Sequence, residues 1–155
     1  MSAITLVKSD RLQILKNEET HIEVDLGIGM YEAARILGVS FNVSLSTMPS
    51  ATQFCDIKAA YSFDPEDEHI VETDDEQFAH CELIDVFIFT QTEGIAVKST
   101  QAYFLDFTRM NLVTTRNLAF LLNAKGTTGS CVGRVYYERF KPSANDLNQL
   151  IAWRR

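Results

Sequence analysis

Leu37-Gly38-Val39-Ser40-Phe41-Asn42-Val43-Ser44-Leu45 places an apolar residue at every second position and a small or polar residue between. Successive side chains of an extended chain point to opposite faces, so this stretch is a strand with one dry face and one wet face. After the turn-like Met48-Pro49-Ser50 the same period returns. Cys55, Ile57, Ala59, Tyr61 and Phe63 alternate with Asp56, Lys58, Ala60 and Ser62, which predicts a second half-buried strand.

Working outward, Leu83-Ile84-Asp85-Val86-Phe87-Ile88-Phe89 is apolar on both faces, as expected of a central strand covered on two sides. A turn at Glu93-Gly94 precedes another strand within residues 95–107. Between residues 112 and 122, Leu118-Ala119-Phe120-Leu121-Leu122 suits helix or strand. The β-branched Val113-Thr114-Thr115 favours strand. Residues 126–129 form a loop, residues 131–140 a last strand, and Pro142 ends its ladder. Ser143 then caps a short helix with Asp146 at the capping-box position and Leu147, Leu150 and Ile151 on one face. Residues 4–15 and 21–25 add strands at the start, for seven to nine in all. The expectation is an all-β protein, an antiparallel β-sandwich or single jelly roll with a short C-terminal helix, spanning residues 1–155 as one domain.

Composition narrows the function. The chain has 155 residues, 46% hydrophobic and 23% charged, enough apolar surface to offset the entropy of ordering a compact domain. No apolar run approaches the ~20 residues of a membrane-spanning helix, and the start lacks the pattern of a secretory signal. The net charge is −7, but eight acids fall between Asp64 and Glu76, and without them it would be +1. The acidity belongs to one segment, predicted to be an exposed loop. Hard cations bind such carboxylate-rich loops, yet no Asp-x-Asp-x-Asp-Gly order is present, and a solvated charge run is the favoured reading.

The remaining motifs point away from catalysis. Gly27-Ile28-Gly29-Met30-Tyr31-Glu32-Ala33 imitates a dinucleotide-binding turn, but no acid follows where the ribose would need one, so a turn or bulge is expected. His21, His69 and His80 are scattered, and Cys55, Cys81 and Cys131 form no ligand-spaced set. The cysteines are therefore expected to be reduced and to serve packing. No catalytic residue, cofactor site or metal site is predicted, and the chain is not expected to be an enzyme. The basic residues near the chain ends, Lys8, Arg11, Lys16, Arg154 and Arg155, are candidates for nucleic-acid or inner-face contact, too few for strong binding.

The closing stretch, Leu112-Val113-Thr114-Thr115-Arg116-Asn117-Leu118-Ala119-Phe120, a variable loop, Gly133-Arg134-Val135-Tyr136-Tyr137-Glu138-Arg139-Phe140 and a capped tail, resembles the last strands of single jelly-roll coat proteins of tailless icosahedral viruses. The resemblance covers about the last third of the chain and contains no invariant motif. It implies a structural capsid subunit of a virion, assembled in the host cytoplasm from copies of itself together with other virion proteins, with weak or no direct nucleic-acid binding. Trp153, with Leu147, Leu150 and Ile151, is the candidate interface. The alternative is a β-sandwich carbohydrate-binding or adhesion module using Tyr136, Tyr137 or Trp153 as an aromatic platform.

Overall fold

The structure is a computed structural model and describes residues 4–47, 53–87 and 97–146. Nine strands lie among the described residues: β1 (Leu6–Ile14), β2 (Glu19–Val24), β3 (Ala33–Thr47), β4 (Gln53–Ser62), β5 (Gln77–Phe87), β6 (Val97–Asp106), β7 (Leu112–Thr114), β8 (Leu118–Lys125) and β9 (Thr128–Phe140). The two alternating stretches are β3 and β4, and the ambiguous residues 112–122 fall in β7 and β8, both strands. After β9 the chain makes a single helical turn at residues 144–146, with the Asp146 N–H donating to Ser143 Oγ at 3.2 Å as the cap requires.

Every described pairing is antiparallel, and the pairing pattern decides the architecture. β1 pairs with β9, β2 with β8, β3 with β6 and β4 with β5, so the chain doubles back on itself about the β4–β5 connection. That doubled ribbon is rolled into two sheets, ordered β1-β9-β3-β6 and β2-β8-β4-β5, with β7 extending the first beside β3. Nested pairing of this kind distributed over two packed sheets is a jelly roll.

The core lies where the inward faces meet. Val39, Phe41, Val43 and Leu45 of β3 oppose Ile57, Ala59 and Tyr61 of β4 and Leu118, Phe120 and Leu122 of β8, all buried. A bulge between Ile36 and Gly38 shifts the phase of β3, so that Ala34 and Ile36 point inward along with Val39 and Phe41. Leu37, which simple alternation would place inward, is half-buried in that bulge, its carbonyl accepting from the Phe107 N–H at 2.8 Å.

Three aromatic rings join the sheets. Tyr61 stacks on Phe120 with centroids 4.9 Å apart, and Phe41 of the facing sheet meets Tyr61 at 5.4 Å and Phe120 at 6.2 Å. The Tyr61 ring projects onto Gly133, which pairs with Phe41 in register. A Cβ at Gly133 would lie 2.1 Å from the Tyr61 hydroxyl and 2.9 Å from the Phe120 ring. Glycine is required here by close approach.

One expectation is corrected. β5 is not a central strand covered on both faces; it forms the open edge of the second sheet. Leu83 is buried, whereas Ile84 and Val86 face outward and are half-exposed.

Gly133→Ala is expected to destabilise the protein by about 1–3 kcal/mol through overpacking. The Tyr61 hydroxyl is buried without a partner among the described residues. Tyr61→Phe alone should therefore change stability by less than about 1 kcal/mol, and in combination it should recover part of the Gly133→Ala loss. Urea denaturation of the three variants checks this.

Candidate functional site

The β-sandwich offers its two outer faces, its strand edges and its ends. On the second sheet, the outward residues of β4 are Phe54, Asp56, Lys58, Ala60 and Ser62, since Cys55, Ile57, Ala59 and Tyr61 point to the core. The acidic segment between β4 and β5 folds back over part of this face. Its Ile70 packs on Ala60, Ala119 and Leu121, a small apolar cluster outside the main core.

Polar contacts then hold the loop. The buried Gln77 amide donates to the His69 carbonyl at 2.8 Å and accepts from the Val71 N–H at 2.9 Å. Ser62 donates to Asp67 at 2.6 Å, Lys58 donates to Glu72 at 3.2 Å, and the His69 ring meets the Glu19 carboxylate. The Glu19 contact raises the His69 pKa above 6.5, first through the hydrogen bond and then through charge. The hydrogen bond and charge of Glu72 likewise raise Lys58. Glu82, facing Asp56 on the neighbouring strand, is raised because its carboxyl shares a hydrogen bond with that acid. The acidic segment thus lies on the surface as expected, and two of its acids meet a basic partner, Glu72 with Lys58 and Glu76 with Arg116 at 3.8 Å, while its His69 meets Glu19 of β2. Among the described residues no group of three or more His, Cys, Asp or Glu converges as a metal site.

Beyond the loop the same face turns apolar. Phe54 is 60% exposed, Ile84 55% and Val86 50%. Phe54 and Val86 are register partners, and Ile84 sits beside Asp56 one step along the ladder. The three form one strip on the outside of the β4–β5 pair, at the sheet edge. Contiguous exposed apolar groups on an open edge strand favour contact with another surface.

The basic candidates do not form one cluster. Lys8 lies on the inward phase of β1, 3.8 Å from Asp10, whereas Arg11 is on the outward phase and Lys16 lies in the β1–β2 turn. Leu6 pairs with Tyr137, so the start of β1 and the end of β9 leave the sandwich at the same end. Arg154 and Arg155, like Leu147, Leu150, Ile151 and Trp153, lie outside the described residues. Of the aromatic candidates, Tyr137 is buried and donates to the Leu26 carbonyl at 2.9 Å, while Tyr136 faces outward beside Phe104, with ring centroids 5.8 Å apart.

The apolar strip was not singled out from sequence. Its signal was present in Phe54, which occupies the wet phase of an alternating strand, and in the two-faced run at residues 83–89.

No protein-family model and no curated protein matches the chain. Solved structures do. The chain is similar to chains of icosahedral viral particles. A chain of the T13 particle of infectious bursal disease virus aligns at 10% identity and a TM-score of 0.41, covering 85% of this chain and 35% of that one. A structure of the Gt strain of that virus aligns at 13% identity and 0.23, over 96% and 50%, and its derived T=1 particle at 14% and 0.23, over 96% and 47%. The chain thus spans between about a third and a half of the chains it matches. At these scores the functional reading rests on this molecule's own topology and surfaces.

Two outcomes test the local chemistry. Cys55 and Cys131 are buried, and burial pushes the Cys81 thiol up to about 12. All three should therefore resist iodoacetamide at neutral pH and label only in denaturant, as mass spectrometry would show. The His69–Glu19 contact is present below the ordinary histidine pKa and is lost as pH rises through the raised folded value. NMR titration should place His69 above 6.5, and Glu19→Gln should lower it.

Proposed function

We propose that the chain is a self-assembling structural subunit, a shell protein of an icosahedral virus, whose partners are copies of itself and other virion proteins. The observation that carries this reading is the strip Phe54, Ile84 and Val86 on the open edge of a jelly roll. Covering the exposed parts of three such side chains contributes roughly 2–4 kcal/mol per subunit. That does not by itself offset the freedom lost on association, so further contacts are needed. The capped tail, with Leu147, Leu150, Ile151 and the aromatic Trp153, is the segment proposed to supply them. The resemblance of the closing strands to coat proteins agrees with this role, as does a fold used repeatedly for shells. The place of action is then the virion, with assembly in the host cytoplasm.

A second reading, a carbohydrate-binding module, is favoured by one feature, the outward pair Phe104 and Tyr136. Fold alone does not choose between the two.

Phe54→Asp and Val86→Asp should leave the melting temperature nearly unchanged, because both positions are exposed, yet reduce assembly followed by light scattering and negative-stain microscopy. Trp153→Ala should act in the same direction, since truncating a buried interfacial tryptophan commonly costs at least ~2 kcal/mol. A full-length protein that stays monomeric at high concentration across salt and pH contradicts the proposal.

A further inference from the structure

The outer face of the β1-β9-β3-β6 sheet differs in charge from the rest of this acidic chain. Gly133 of β9 points to the core, so Ser130, Val132, Arg134 and Tyr136 point outward. Register then places Ser9 and Arg11 of β1, Ser40 and Asn42 of β3 and Phe104 of β6 on the same side. From residue 7 to 13 on β1, 130 to 136 on β9, 38 to 44 on β3 and 100 to 104 on β6, the outward positions include no carboxylate. They include two arginines, Arg11 and Arg134, neither with an ion-pair partner among the described residues.

The arginines are diagonal neighbours, since Arg11 opposes Val132 and Ser9 opposes Arg134. Such positions lie about 7–8 Å apart, comparable with successive phosphates along an extended strand. Toward the β1–β2 turn the face opens into a shallow groove of about 580 Å³, where Arg11, Gln13 and the hydroxyls of Ser44, Thr100 and Ser130 adjoin the apolar Ile14, Leu15 and Leu45. At the other end, Gly38 removes the side chain that would otherwise hold Phe104 away. A Cβ at Gly38 would lie 3.0 Å from that ring. The ring therefore crosses β3 to meet Tyr136 edge-on at 70°, and it remains 62% exposed.

We infer that this face binds single-stranded nucleic acid. An aromatic pair that can stack an unpaired base, two free cations and a groove with Arg11 in its wall follow one another along the sheet, and stacking aromatics beside a positively charged groove are the means by which sequence-tolerant single-strand binders work. A duplex hides its base faces from Phe104 and Tyr136. A neutral glycan would make no use of the arginines. Two phosphate contacts make each site weak, and many copies on one particle make the binding avid. The site is independent of the shell reading: a monomer that binds would uphold it while that reading failed.

The test is fluorescence anisotropy of the full chain with a labelled oligouridine of about twelve nucleotides, a length within the site sizes of such folds. Binding should weaken with salt with a logarithmic slope of about −1.4, from roughly 0.7 for each of two phosphates. Arg134→Ser should about halve the slope. Phe104→Ala should weaken binding at least about fivefold at every salt concentration and leave the slope unchanged. Lys125→Ser, an exposed cation on the other sheet, should change neither. Three results would overturn the inference: no binding at low salt, an equal loss for Lys125→Ser and Arg134→Ser, or tighter binding of a neutral oligosaccharide than of oligouridine.

Discussion

The contact between Tyr61 and the bare backbone at Gly133 sets the rest of the structure in place. Tyr61 and Phe120 stack within one sheet and Phe41 closes on them from the other, so the two sheets share one aromatic layer. Their separation is fixed by how deeply the Tyr61 ring can enter above β9. Because Gly133 pairs with Phe41 and Asp10, the same contact fixes the phase of β3, β9 and β1. A one-residue slip in any of them would turn its apolar set to water, and a slip of β9 would also bring a side chain against the tyrosine.

With that phase set, the outer faces acquire opposite characters. The second sheet carries the acidic loop, held by Ile70 over Ala60, Ala119 and Leu121 and by the Gln77 amide. Carboxylates that repel one another in the unfolded segment are thereby spaced along a surface where Lys58, His69 and Arg116 each meet an acid. Between residues 7–13 of β1, 130–136 of β9, 38–44 of β3 and 100–104 of β6, the first sheet's outer face carries polar and apolar neutral residues and two arginines. One domain of net charge −7 so presents a stretch of sheet without carboxylates, bordered by Asp106 and Glu138, a contrast that the total charge conceals. The apolar strip lies outside both regions, on the β4–β5 edge, where neither the acidic loop nor the second sheet's other strands cover it.

Much of this was legible in the chain. Alternation at residues 37–45 and 55–63 identified β3 and β4, because a half-buried strand must write its two faces with period two. The β-branched Val113-Thr114-Thr115 correctly tipped residues 112–122 toward strand, and Ser143 caps a helical turn as its position implied. The failure at β5 has a physical cause. Apolar residues on both faces suit a buried central strand or an edge strand with a sticky outer side, and only the sheet order tells them apart. The surfaces were hardest to see for the same reason. Arg11 and Arg134 are far apart in sequence and become neighbours through the β1–β9 register, and Phe104 reaches Tyr136 only because Gly38 lies between them. The tail residues proposed from sequence as an interface lie outside the described residues.

Burial of the strip on the β4–β5 edge as copies of the chain associate can be followed by hydroxyl-radical footprinting of the full-length protein over a range of concentrations. Modification of Phe54, Ile84 and Val86 should fall as particles form, while Tyr31 and Met110, exposed elsewhere on the sandwich, keep their monomer rates. Particles in which the strip remains as reactive as in the monomer, or a protein that shows no concentration dependence at all, would contradict it.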